Sequence, residues 1–375
     1  MTVQPDRRTT TPWPAAEFRR VLTLRGDPTQ RGWAQGALLG QEIRGACGGV
    51  VQRLLQRATG ASAAELERTA AAYAAASPER FRQELGALAE AAEVSLGALA
   101  LLWFVDDCWE RHGCTMVSAR GGQMRPLLGH NLDFPARVPL DTALVAMVDE
   151  PMSIPYLALT WSGVAGTYTG LNARGVALAV NICPQRGAPA VGLPVKLAVA
   201  LALSTAESAR AAVELLSRQQ LSMGIVAVAT DAEQSFTLEH GGSGGNTAAT
   251  PEDVVAYGSG FTDAERAEGQ DPEVQEYARA RVQAARAAAA RTGRALSDLV
   301  GILAAPGVLM HGGAPHGLAT RRMAVLDPVL RRAWVAQGHC PPDPDQGFVV
   351  DLERALAAEP GLRLTPCGLR ARAAT

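Results

Sequence analysis

The chain changes character once, at Cys114, and that change limits what it can fold into. Up to residue 113 it is rich in alanine, leucine and arginine, with apolar residues recurring at helical spacing. Beyond Cys114, glycine, proline and asparagine cut it into short β-type runs. Helices first, then strands, helices and strands again, predict an α+β or layered α/β protein with helices packed outside two sheets. At 375 residues there is room for one large domain or two ordinary ones, so a sizeable core is affordable.

In the first part, Phe18 to Leu24 reads as a strand, Gly26-Asp27-Pro28 as a turn, and Thr29 to Arg57 as one long helix. Ser62 to Ala75, Pro78 to Val94 and Ser95 to Glu110 follow as helices, with Pro78 in a first turn where its missing N–H is harmless. After Cys114, strands are predicted over Thr115 to Ser118, Leu127 to Asn131, Ala143 to Asp149, Tyr156 to Trp161, Thr167 to Leu171 and Val176 to Ile182. Leu193 to Gln219 is a helix or helix pair, and Ile225 to Thr230 with Ser235 to Glu239 a hairpin. Pro272 to Arg291 returns to helix, and Ala319 to Asp327 with Arg332 to Ala336 forms a last hairpin. The domain reading is a disordered start over 1–17, a helical leader over 18–113, a core over 114–360 and a loosely held tail over 361–375. Gly241 to Thr250, small and polar, reads as a mobile surface loop.

A net charge of −2, with both signs mixed throughout, gives no support to a nucleic-acid partner or an anionic membrane surface. The six cysteines (47, 108, 114, 183, 340 and 367) form no Cys-x-x-Cys pair, which argues against a disulfide scaffold and a zinc ribbon. Reduced thiols in a cytoplasmic protein fit best. Residues 1–17 lack an apolar signal-peptide core, and the longest apolar stretches fall short of the roughly 20 residues a membrane span needs.

Cys114 lies in Arg111-His112-Gly113-Cys114-Thr115, and one carboxylate follows in Gly129-His130-Asn131-Leu132-Asp133-Phe134. A thiolate is the strongest ordinary protein nucleophile near neutral pH, but it needs a base or a cation to ionise. One reading is a Cys-His pair with His112 or His130. The other is a cut between Gly113 and Cys114, which would free an α-amino group of pKa about 7.7 to 8.0 to act as that base. Glycine before the cysteine would give the backbone freedom to hold a strained scissile peptide while the thiol attacks the preceding carbonyl.

These two runs together resemble the penicillin acyltransferase-like family of N-terminal-nucleophile hydrolases, relatives of the bile-salt hydrolases. There, a Gly-Cys-Thr run precedes a Gly-x-Asn-x-Asp-Phe strand. The resemblance extends to Leu24-Arg25-Gly26-Asp27-Pro28 running into Gly32 and Gly36, to Thr169-Gly170-Leu171-Asn172 through Gly175 and on to Asn181, and to the closing hairpin from Ala319 to Gly338. It implies an α+β, four-layer αββα N-terminal-nucleophile hydrolase sandwich with a helical N-terminal leader segment. It also implies self-cleavage between Gly113 and Cys114, Cys114 as nucleophile, Asp133 orienting its amine or thiol, and Asn181 donating to the oxyanion. Two positions depart from the pattern. Gly258-Ser259-Gly260-Phe261 stands where the family carries Thr-Asn-His-Phe, so the Ser259 hydroxyl or a backbone N–H of this loop would replace a second asparagine, and His130 stands where glutamine or arginine is more usual. A family arginine on the following helix matches Arg279 or Arg281.

The substrate class implied is a small-molecule acyl amide or acyl thioester, with water or an amine as acceptor. No cofactor is implied, acyl-CoA stays open as an acyl donor, and a homo-oligomer stays open as well. Two other readings compete: an unprocessed Cys-His hydrolase, and a catalytically silent binding protein that retains the fold, motivated by Ser259. His311 and His316 flank a glycine- and proline-containing loop without helical ligand spacing, so no metal site is expected. The Asp106-Asp107 pair reads as part of a solvated helix face.

Overall fold

The computed structural model describes residues 18–105, 107, 113–120, 126–135, 143–185, 192–241, 244–250, 254–293, 295–312, 317–337, 345 and 347–366. The first part consists of strand β1 (Phe18–Arg25) and helices α1 (Pro28–Cys47), α2 (Val50–Thr59), α3 (Ala63–Ala76), α4 (Glu79–Ala91) and α5 (Leu96–Trp103). Next come β2 (Gly113–Arg120), β3 (Pro126–Pro135), β4 (Ala143–Asp149), β5 (Tyr156–Trp161), β6 (Thr169–Asn172) and β7 (Ala177–Ile182). Helices α6 (Val195–Thr205) and α7 (Ala209–Ser217) lead to β8 (Ile225–Thr230), β9 (Ser235–His240), β10 (Gly245–Ala249) and β11 (Val254–Gly258). The chain closes with α8 (Ala264–Glu268), α9 (Pro272–Ala289), α10 (Leu296–Leu303), β12 (Leu318–Asp327), β13 (Arg332–Gln337), β14 (Phe348–Asp351), α11 (Leu352–Ala357) and β15 (Gly361–Pro366).

Two sheets result. The first has nine strands in the order β10-β9-β8-β7-β6-β5-β4-β1-β15, and the second six in the order β11-β2-β3-β12-β13-β14. Their facing sides follow the two-residue period of a strand. Ala177, Ala179, Val226 and Val228 of the first sheet meet Met116, Leu128 and Ala324 of the second. The outer side of the first sheet, with Leu178, Val180 and Ile182, is covered by α6, α7 and the leader helices. The outer side of the second, with Val117 and Val325, is covered by α9 and α10. This is the four-layer αββα sandwich expected from the sequence, with the helical leader joined to one outer layer. No helix among the described residues is long and apolar enough to cross a membrane.

The leader is built into the sandwich. β1 lies between β4, which it pairs in parallel, and β15, which it pairs antiparallel. A capping box starts α1: the Asp27 side chain accepts from Gln30 N at 2.9 Å and the Gln30 side chain accepts from Asp27 N at 2.9 Å. Gly32 and Gly36 then let α1 and α4 touch backbone to backbone, since a Cβ at Gly32 would lie 2.4 Å from Glu84 O and one at Gly36 2.6 Å from Ala91 Cβ. Beside this contact, the buried Arg31 guanidinium binds Glu84 at 2.7 Å and Glu150 at 3.1 Å, and Arg80 also pairs with Glu150. Trp103 Nε1 donates to Gly163 O at 2.6 Å, fastening the end of α5 to the turn after β5.

Several expectations need correction. The long helix over Thr29 to Arg57 is two helices, because Gly49 takes φ +82° and turns the chain between α1 and α2. The helix expected over Ser95 to Glu110 ends at Trp103. Gly241 to Thr250 is not a loop throughout: Gly245–Ala249 pairs with β9, held by a backbone ladder that small exposed side chains do not advertise. The tail beyond Pro360 is not loose at its start, since Gly361–Pro366 is the edge strand beside β1. Asp107 is not solvated but buried, its backbone oxygen accepting from Tyr73 Oη at 3.3 Å and its carboxylate from Ser222 Oγ. Asp106, residues 1–17 and residues 367–375 lie outside the described residues.

Replacing Arg31 with methionine leaves Glu84 and Glu150 without their shared buried cation. Breaking such a pair by removing one partner costs about 3–5 kcal/mol. Urea denaturation of Arg31→Met should show a loss of that size, and a loss below about 1 kcal/mol would mean the network does not tie the leader down.

Candidate active site

Antiparallel pairing of β2 with β3 sets Gly113 opposite Asp133 and Cys114 opposite Leu132. Strand alternation then divides the pair between two faces. Cys114 turns inward, toward the first sheet, and joins Leu132, Phe134 and Trp161 in the apolar cluster that also holds the leader helices. Asp133 turns outward, toward α9.

There Asp133 is fully enclosed. Its Oδ2 pairs with Arg281 Nη1, and its Oδ1 accepts from Thr320 Oγ1 at 2.6 Å. Arg281 also donates from Nη2 to Val308 O at 2.7 Å and lies 5.5 Å from the centre of the Tyr277 ring. Burial pushes the Asp133 carboxyl upward, against the opposing pull of Arg281 and Thr320. For Arg281, burial works against the charge, but Asp133, Tyr277 and Cys114 together outweigh it, so its pKa is raised and the guanidinium stays protonated.

Gly113 is the point where this outer cluster meets the Cys114 peptide. A Cβ there would lie 2.9 Å from Leu318 Cδ1, 3.2 Å from Tyr277 Cε1 and 3.5 Å from Arg281 Nη1. Gly113 is the first residue of β2 and does not adopt a positive φ. Its missing side chain makes room for Leu318, Tyr277 and Arg281 rather than permitting an unusual backbone.

On the other edge of β2, the backbone N–H of Cys114 donates to Ser259 Oγ at 3.0 Å. The pairing of Gly258 with Thr115 carries Ser259, just past the end of β11, to that position. Across the gap between the sheets stands Asn181, at the end of β7. Its Nδ2 donates to Tyr257 O at 3.1 Å, while its Oδ1 is buried with no partner at hydrogen-bonding distance. Cys183, two residues on, is a buried free thiol that burial raises well above the usual range, so it stays protonated.

The structure thus gathers Gly113, Cys114, Asp133, Ser259 and Arg281 around one peptide bond, with Asn181 facing them from the other sheet. It separates Arg279 from them: that residue is exposed on α9 and donates to Gln275 at 2.7 Å, so of the two candidate arginines Arg281 is the one in the cluster. His130 is buried between the sheets with Nδ1 against Thr169 Oγ1, and burial together with Arg322 lowers its pKa to about 3. A ring that weakly basic is not suited to deprotonate a thiol. His112 and His316 lie outside the described residues. Thr320 and Tyr277 were not foreseen; Thr320 reaches Asp133 only through the register of β12 against β3, which shifts between Thr320 and Arg322.

An αββα sandwich with a cysteine at the head of an inner strand and a buried carboxylate opposite its preceding residue is the class of protein defined here. Solved structures to which the chain is similar include an N-acylethanolamine-hydrolyzing acid amidase ortholog of Caenorhabditis elegans, at 16% identity over 57% of this chain and 93% of that one, with a TM-score of 0.44. A variant of the conjugated bile acid hydrolase of Clostridium perfringens aligns at 12% identity over 70% of this chain and 100% of its own, with a TM-score of 0.47. The penicillin V acylase of Agrobacterium tumefaciens aligns at 13% identity over 67% and 90%, with a TM-score of 0.45. No protein-family model and no curated protein matches the sequence.

Asp133→Ala and Arg281→Met should each cost about 3–5 kcal/mol in chemical denaturation, because each strands a buried charge. The double variant should lose clearly less than the sum, as expected for groups in direct contact. Additive losses would show that the two do not act as a pair.

Proposed function

We propose that the chain is a self-processing cysteine enzyme that hydrolyses or transfers an acyl group of a small-molecule amide or thioester. The supporting observation is the convergence on one junction: Gly113–Cys114 has the Asp133–Arg281 pair on one side and Ser259 on the Cys114 nitrogen. In the processing step, the Cys114 thiol adds to the Gly113 carbonyl, the peptide C–N bond breaks, and its nitrogen takes a proton to become the Cys114 amine. Water then cleaves the Gly113 thioester, leaving a carboxylate on Gly113 and a free thiol on Cys114.

In turnover, that amine takes the thiol proton, and its ordinary pKa of about 7.7 to 8.0 suits a base working near neutral pH. The thiolate adds to the substrate carbonyl, charge collects on the oxygen, and the amine returns the proton to the leaving nitrogen or sulfur. Water or an amine then takes the acyl group from Cys114. Ser259, already on the Cys114 nitrogen, would hold the new amine, and Asp133 with Arg281 would fix its electrostatic surroundings from the outer face. Because Asp133 and the Cys114 side chain turn to opposite faces of the sheet, Asp133 acts on the amine rather than on the thiol. Asn181 would supply a hydrogen bond to the oxyanion, where loss of one such donor costs roughly 10²–10³ in rate. With His130 uncharged and occupied by Thr169, a Cys-His pair through His130 is disfavoured.

Incubation with p-nitrophenyl acetate, followed by intact mass, tests this reading. A burst of p-nitrophenolate with one acetyl group on the fragment that begins at Cys114, absent in Cys114→Ala, is expected. Acetylation no faster at Cys114 than at Cys47 or Cys183 would instead favour the silent binding protein.

A further inference from the structure

His130 and Asn181 each leave one buried polar atom unsatisfied, Nε2 on the imidazole and Oδ1 on the carboxamide. Both side chains enter the space between the sheets, from β3 and β7. Met116 pairs with His130 on one side and with Tyr257 on the other, so the three form one row across β3, β2 and β11. Asn181 lies over this row, its Nδ2 donating to Tyr257 O at 3.1 Å. At the far side of the ring, His130 Nδ1 is hydrogen-bonded with Thr169 Oγ1 of β6. The Asn181 side chain also favours the protonated imidazole, as a carboxamide beside the ring does.

From this arrangement we infer that His130 is a positioning residue: the Thr169 hydroxyl donates to Nδ1, the proton sits on Nε2, and it points at Asn181 Oδ1, fixing the carboxamide with Nδ2 turned toward the acyl site. The opposite tautomer would set the Nε2 lone pair against the Oδ1 lone pair. Without the imidazole, the carboxamide could turn over, presenting an oxygen where negative charge develops. The inference rests on the reading of Asn181 as the oxyanion donor.

The ring works while neutral. Arg322 on β12 and Arg281 on α9 are the charged groups that bear on it, and both resist its protonation along with burial, while Thr169 and Asn181 are uncharged. No inflection from His130 is therefore expected between about pH 5 and pH 8.

Two reagents separate positioning from general damage, measured on protein whose N-terminus is Cys114. Acetylation by p-nitrophenyl acetate passes through an oxyanion, whereas alkylation by iodoacetamide does not. His130→Ala should slow acetylation by about 10- to 100-fold, part of what complete loss of an oxyanion donor costs, and leave alkylation within about twofold. His130→Gln, whose amide nitrogen can occupy the Nε2 position, should recover most of the rate, His130→Asn should not, and Thr169→Val should fall toward His130→Ala. If wild-type Cys114 is acetylated and His130→Ala matches it, the inference fails while the enzyme reading stands. An equal drop in acetylation and alkylation overturns it too, because His130 would then act on the thiol. A wild type that takes no acetyl group defeats the enzyme reading itself. Thermal melting of each variant identifies any that fail to fold, and Thr169→Val then carries the test in place of His130→Ala.

Discussion

The register of β2 against β3 is the constraint on which the rest of the site depends. By setting Gly113 opposite Asp133, it brings a buried carboxylate to the residue before Cys114 and sends the Cys114 side chain to the other face of the sheet. Slipping the pairing by one residue would exchange these faces, so the hydrophobic pattern that specifies the register also specifies the chemistry. Met116 and Leu128 in the inter-sheet core, with Val117 and Leu127 under α10, leave little freedom to slip.

A buried carboxylate needs a cation, and α9 supplies it. Arg281 is the inward residue of a helix that otherwise exposes its charges, and it satisfies Asp133, Val308 O and the Tyr277 ring at once. Room for this cluster exists because residue 113 has no side chain. The glycine, the carboxylate and the arginine are thus consequences of one packing problem at the head of β2. The leader adds a second constraint: with β1 inside the nine-stranded sheet and Arg31 bound to Glu84 and Glu150, a cut after Gly113 would divide the chain without dividing the fold.

Much of this was legible in the sequence because it is local. The strand over Thr115 to Ser118 and the carboxylate of Asp133 are short-range patterns, the layered architecture follows from the order of the elements, and the asparagine at the end of β7 enters through the family resemblance. What escaped is set by partners distant in the chain. Arg279 and Arg281 look alike until α9 is docked and only one faces the sheet. Thr320 reaches Asp133 through a register shift that no local pattern encodes. The strand at Gly245–Ala249 and the one at Gly361–Pro366 are held by backbone ladders at sheet edges, where side-chain alternation carries little information. The space that Gly113 leaves for Leu318, Tyr277 and Arg281 is likewise set by partners distant in the chain.

The central claim is that Cys114 becomes a new N-terminus through its own thiol. Intact mass of the purified protein under native and denaturing conditions tests it directly. The account predicts one assembled species under native conditions that separates on denaturation into fragments 1–113 and 114–375, while Cys114→Ala remains a single chain. An uncut wild-type chain, or cleavage at this bond that persists in Cys114→Ala, would contradict it.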